Sequence, residues 1–107
     1  MNAINRIAAS LLAGCLGVVL TAPIEVLAAD AANGEVLYMA NCMGCHGEYG
    51  TSIQKEAPDL ARFDMMEKSD EDLMDVIQSG GGSMPPYVGV FNDDELIDLV
   101  SFIRTLH

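Results

Sequence analysis

The stretch Asn41-Cys42-Met43-Gly44-Cys45-His46-Gly47 holds two thiols three positions apart and an imidazole directly after the second. Three chemistries use such a set. The thiolates can help bind zinc, they can cycle between dithiol and disulfide, or they can add across the two vinyl groups of one haem as thioethers. A structural zinc site takes four ligands, and outside this stretch the chain offers only Cys15 and the terminal His107. A dithiol redox site expects a βαβ setting, yet no segment alternates apolar and polar residues long enough to be a strand. The third reading uses every residue. Cys42 and Cys45 attach a haem c, and His46 lies beneath its iron and ligates it from one side. Gly44 is expected to help the tight turn between the cysteines, and Gly47 to let the chain leave without a side chain against the cofactor.

A second axial ligand must come from elsewhere. His107 is a poor choice at the end of the chain. Methionine is the natural alternative, because a thioether binds haem iron and raises its potential. Met43 is excluded by its place inside the motif, and Met39 and Met74 read as helix residues. Met65 and Met66 lie in a loop and stay open. Met84 stands out by its surroundings: Gly80-Gly81-Gly82 before it lets backbone approach a cofactor closely, and Pro85-Pro86 after it stiffens the chain. Met84 is therefore the expected metal ligand opposite His46.

These residues must be carried by helices. Asp30 is a fair N-cap for a first helix over residues 31–40, with Val36, Leu37 and Ala40 as its inner face. Gly34 and Tyr38 share a side four residues apart, with Gly34 serving close packing. Residues 48–68 read mostly as loop, with a short helix over 59–63. Ser69 opens another helix with Asp72 as capping-box partner, Leu73, Val76 and Ile77 as its buried stripe, and the glycines from Gly80 as its stop. Asn92 caps the last helix and Glu95 completes its capping box. That helix is expected over 93–106, with Leu96, Leu99, Val100, Ile103 and Leu106 on one face and Phe102 at its edge. The fold class is all-α.

The chain of 107 residues starts like an exported one. Arg6 is followed by an apolar run over 7–20, then Pro23 and the small residues of Val26-Leu27-Ala28-Ala29, the layout of a secretory signal peptide. The run is shorter than the ~20 residues of a membrane span, so no stable membrane insertion is expected. Cleavage is placed after Ala28, with Ala29 the alternative, leaving residues 29–107 as one small domain. Leu12-Ala13-Gly14-Cys15 offers a competing lipoprotein box with a lipid anchor at Cys15, but the chain stays apolar well past that cysteine. A domain of this size has a marginal core of its own, and a covalent haem would supply an apolar centre. Beyond residue 28 only Lys55, Arg62, Lys68 and Arg104 oppose fifteen Asp and Glu; the whole chain carries a net charge of −11. Nucleic acid is excluded as a partner, since phosphate contacts need Lys and Arg. The acidity serves solubility or steers the molecule onto redox partner proteins with a basic docking surface.

The pattern as a whole resembles the class I cytochromes c, the small soluble bacterial ones in particular, over the full length of residues 29–107. Gly34 and Tyr38 look like the glycine and aromatic of that family's first helix, and Phe102 like the aromatic of its last. Ala57-Pro58-Asp59-Leu60 resembles its Gly-Pro-x-Leu segment, with Ala57 in place of the usual glycine. Met84-Pro85 matches its methionine loop. The resemblance implies a cytochrome c fold, with three main helices wrapped around one covalently attached haem. It also implies that the Pro58 carbonyl orients His46. With no tryptophan in the chain, Tyr49, Tyr87 or Arg62 are the candidates to bind a propionate. The implied function is that of a periplasmic, monomeric electron carrier with a closed His46/Met84 iron and no catalytic residues. Alternatives are a dedicated electron-accepting subunit of a dehydrogenase complex, or an open-site haem enzyme or sensor.

Overall fold

The computed structural model describes residues 28–107, together with Gly17 and Ala22. Apart from Gly17, Ala22 and Ala28, the export segment read over 1–28 lies outside the described residues, as does Cys15. Every regular element among the described residues is a helix, and the one extended pairing there is an isolated bridge between Gly81 and Met84.

Helix α1 (Ala31–Asn41) begins where Asp30 caps it, the carboxylate accepting from the Ala32 and Asn33 amides at 3.0 and 3.1 Å. Its buried face differs from the apolar one expected. Gly34 and Tyr38 are the buried residues, Val36 is 66% exposed and Ala40 is exposed. Close backbone approach chooses this face, because the bare α-carbon of Gly34 lies against the Asp98 carbonyl and Phe102 of the last helix. Val36 is thereby turned outward, while Leu37 and Met39 stay half-buried against the core. The Cys42 amide still donates to the Tyr38 carbonyl, so α1 passes almost without a break into the single turn of α2 (Met43–His46).

A short helix forms later than expected, as α3 (Phe63–Met66) rather than over 59–63. Residues 59–61 are already committed to the loop. The Asp59 carboxylate accepts from the Ser52 amide at 2.6 Å, and the Leu60 and Ala61 amides both point at the Gly50 carbonyl. Helix α4 (Asp70–Ser79) carries the full Ser69/Asp72 capping box and stops at Gly80, whose φ of 67° is open to glycine. Helix α5 (Asp93–Ile103) carries the Asn92/Glu95 box. It ends three residues before the expected Leu106, because Thr105 and Leu106 donate to Phe102 and Ile103 in tightened i→i+3 turns.

Three main helices thus make the frame: α1 and α4 both pack on α5. Tyr38, Leu96 and Leu99 are fully buried at the junction, and Tyr38 meets Phe102 in a tilted ring pair 5.2 Å apart. Phe102, expected at an edge, is part of the core. Arg104 closes the far end of the frame, donating to the Asp70 carboxylate and to the Met66 and Lys68 carbonyls. No helix among the described residues is long and apolar enough to cross a membrane.

Candidate functional site

The C-x-x-C-H motif occupies the α1–α2 junction. Cys45 and His46 both donate their amides to the Cys42 carbonyl, at 3.1 and 2.9 Å, so one helical turn brings both thiols and the imidazole to the same side. Neither Cys42 nor Cys45 is in a disulfide. Burial pushes the Cys42 thiol up to about 11, with Cys45 beside it adding to the effect, so it is held as a neutral thiol at neutral pH. Gly47 follows at a φ of 77°, and a β-carbon there would run into the Thr51 carbonyl. The need for glycine is therefore set by the returning loop rather than by a cofactor. Gly44, expected to serve a tight turn, sits in α2 with no described neighbour within 4 Å of a built β-carbon. Tyr38 anchors the turn from below, its hydroxyl donating to the Gly47 carbonyl at 2.7 Å. Burial raises that phenol to about 12, with the Cys42 thiol a lesser contributor.

His46 is buried, and its Nδ1 lies 3.0 Å from the Pro58 carbonyl. A carbonyl can only accept, so Nδ1 carries the proton and the lone pair is on Nε2. That is the tautomer a metal ligand needs, held by a partner that also fixes the ring plane.

Beside the motif lies a cavity of about 310 Å³, within the usual range for a ligand site. Asn41, Cys42, Cys45 and His46 line it from the α1–α2 junction, Gln54 and Glu56 to Pro58 from the following loop, Val76 from α4, and Gly81 to Pro85 with Tyr87 from the next loop. All five residues expected at a site, Cys42, Cys45, His46, Pro58 and Met84, line this one cavity. Val76 belongs to it as well. It was expected to be buried against protein, but it is 46% exposed and faces the cavity instead. Gln54, Glu56, Asn41 and Ser83 were not foreseen. Their signal was nearness in sequence: Asn41 precedes Cys42, Ser83 precedes Met84, and Gln54 and Glu56 lie just before Pro58.

Met84 is carried by a tight turn. Gly81 and Met84 exchange backbone hydrogen bonds at 3.0 and 2.9 Å around Gly82-Ser83. Gly80 allows this, because a β-carbon there would meet the Met84 carbonyl oxygen at 2.6 Å and Pro85 at 2.8 Å. After the two prolines, the Tyr87 and Val88 amides donate to the Ile77 and Gln78 carbonyls near the end of α4. Of the methionines, Met84 alone lines the cavity among the described residues; Met65 and Met66 stand in α3, and Met66 turns its carbonyl to Arg104. His107 is exposed at the chain end and donates to the Arg104 carbonyl. Of the three candidate propionate donors, Tyr87 lines the cavity but gives its one hydroxyl proton to the Asn41 carbonyl, while Tyr49 is 74% exposed and Arg62 is paired with Asp64. The Tyr87 phenol is raised above its ordinary value by burial, then by Cys42 and Cys45.

This donor set fits a haem. It offers two unpaired thiols for thioethers, an imidazole of fixed tautomer, and a thioether sulfur on a braced loop around one largely apolar cavity. The comparisons agree. Residues 29–103 match the family described as cytochrome c oxidase, cbb3-type, subunit III. Cytochrome c6 of Thermosynechococcus vestitus is 31% identical over 83 residues, spanning 72% of this chain and 70% of that protein. The cbb3-type cytochrome c oxidase subunit FixP of Bradyrhizobium diazoefficiens is 32% identical over 80 residues, but those cover only 28% of its length. Among solved structures, the c-type cytochrome KustC0563 superposes with a TM-score of 0.64 at 26% identity, over 68% of this chain and 95% of that one. This all-α chain, with its cytochrome c fold, belongs to the small monohaem c-type cytochromes, electron carriers rather than enzymes, which hold one haem c covalently.

Proposed function

We propose that this cytochrome is an exported, periplasmic carrier that shuttles single electrons between redox partner proteins. Its haem is tethered through Cys42 and Cys45, and its iron is held between His46 and Met84. One observation carries this reading: two potential axial ligands from distant segments, His46 and Met84, line the same cavity as both cysteines. The bound haem supplies a one-electron couple at its iron. The protein's own part is to hold still. The Pro58 carbonyl fixes the His46 ring, the Gly81–Met84 turn holds the thioether, and Val76 and Tyr87 add apolar surface to the walls. If His46 and Met84 both hold the iron, they would leave it no open position for a substrate.

Export is supported by the leader-like composition of residues 1–28 and by a family match that begins at residue 29. The net charge of −11 favours partners with a basic docking surface. The similarity to FixP supports a second reading, in which the domain works as the fixed cytochrome subunit of an oxidase or dehydrogenase complex. Purification separates the two, because a carrier is isolated as a soluble monomer and a subunit with its complex.

The ligation is tested with Met84→Ala. The variant should lose the weak long-wavelength absorption band that marks methionine–iron bonding in the ferric protein. Its midpoint potential should fall by on the order of 100 mV, within the ~0.8 V range that axial ligands span. Its ferrous form should bind carbon monoxide readily. An unchanged spectrum and potential would move the ligand role to Met65 or Met66. A parent protein that already binds carbon monoxide freely would favour the open-site enzyme or sensor.

A further inference from the structure

Tyr87 makes a contact that neither haem attachment nor axial ligation calls for. Its hydroxyl donates to the Asn41 carbonyl at 3.0 Å, across 46 positions of chain. Asn41 is the last residue of α1 and directly precedes Cys42, so its carbonyl is one that a helix end leaves without an internal partner. Tyr87 stands three residues after Met84, with Pro85 and Pro86 between. Asn41, Met84 and Tyr87 all line the one cavity. The bond therefore joins the wall that carries Met84 to the wall that carries the cysteines and His46. The tyrosine is itself well held. Its ring stacks on Phe91 at 5.5 Å and 16°, and its amide donates to the Ile77 carbonyl at 3.1 Å.

We propose that Tyr87 is the clasp of the Met84 loop, a positioning residue whose hydroxyl keeps the thioether seated by tying the loop to the end of α1. The two prolines make this coupling stiff. With φ locked at both positions, Met84 cannot swing far from the cavity without drawing Tyr87 off Asn41. The clasp rests on Met84 being the iron ligand, and the test separates the two.

The haem-loaded protein is titrated with imidazole, an added iron ligand that binds only after Met84 has left. Removing one neutral hydrogen bond should raise the open fraction roughly three- to tenfold. Imidazole affinity in Tyr87→Phe should rise by the same factor, with the ring still stacked on Phe91. Amide hydrogen exchange at Tyr87 and Val88 should quicken by a similar factor. Arg104→Lys serves as control. It loosens the latch at the far end of the frame, so it should lower the melting temperature and leave both readings unchanged. Equal imidazole affinity in the parent and Tyr87→Phe overturns the clasp. A rise matched by Arg104→Lys also overturns it, since the effect is then general loosening. If Met84→Ala binds imidazole no more tightly than the parent, the Met84 ligation fails, and the clasp falls with it.

Discussion

A single methyl group separates Gly34 from alanine, and the space for it is already filled. A β-carbon at Gly34 would overlap the Asp98 carbonyl and sit 2.9 Å from the Phe102 β-carbon. The first obstacle is helix backbone, which cannot rotate aside. Gly34→Ala should therefore lower stability by about 1–3 kcal/mol through overpacking, despite the ~1 kcal/mol by which alanine favours a helix. A urea melt checks this: the midpoint should fall, and a midpoint that rises would mean that α1 and α5 can separate without cost. The residues that line the cavity divide at this same scale. Cys42, Cys45 and His46 can be read from type and spacing, Met84 from the glycines and prolines around it, and Pro58 from the resemblance. Gln54, Glu56 and Val76 carry no such mark. Chain folding brings them to the cavity, and nothing in their own identity says that a cofactor rather than protein will face them.

At the scale of elements, the starts of the three main helices were legible because each is a local hydrogen-bonding device: Asp30, Ser69 with Asp72, and Asn92 with Glu95 all cap as their spacing predicts, whereas the short α3, which has no capping side chain, began later than expected. The ends of elements and the faces they bury were less so, because non-local contacts decide them. Gly34 turned Val36 and Ala40 of α1 outward while leaving Leu37 against the core, and the Gly50 carbonyl kept residues 59–61 out of a helix. One contact between elements has a consequence in acid. Asp98 on α5 accepts from the Asp30 amide at 2.6 Å and from the Asn33 side chain at 2.9 Å, joining α5 to the start of α1. The Asn33 hydrogen bond, then that of Asp30, holds its carboxyl below the ordinary 3.8. A carboxyl with a lowered folded pKa adds stability above its unfolded pKa and loses it as pH falls through the folded value. Asp98→Asn, whose amide cannot accept both bonds as a carboxylate does, should be less stable than the parent at neutral pH. The gap should narrow as pH falls below the ordinary carboxylate value and through the lowered folded one, where the parent's carboxyl takes up its proton. Denaturation midpoints across pH 2.5–7, about the span in which carboxyls titrate, check this. A gap that stays constant into acid would show that the bridge works through shape alone.

At the scale of the molecule, charge is the dominant feature. The acidic residues gather at the first turns of α4 and α5, where Asp70, Glu71, Asp72, Asp93, Asp94 and Glu95 suit the positive ends of the helices. Helix stability alone could explain those positions, but the field they make extends outward regardless of why they are there. Among the described residues, Arg62 is already paired with Asp64 and Arg104 with Asp70, so what positive charge there is sits largely beside carboxylates and the net −11 is left to act outward. Electron exchange with small cationic and anionic redox reagents of similar driving force should expose this field without any assumption about the natural partner. At low ionic strength the cationic reagent should react about tenfold faster or more. The advantage should collapse as salt approaches ~0.15 M, where screening acts within ~8 Å. Reversing Glu71 and Asp93 to lysine should shrink the low-salt ratio if the field of α4 and α5 reaches the exposed edge of the haem. A ratio indifferent to both salt and reversal would confine the acidity to solubility and helix capping. A ratio that follows salt but ignores the reversal would place the steering charge elsewhere on the surface, away from the two helices that hold most of it.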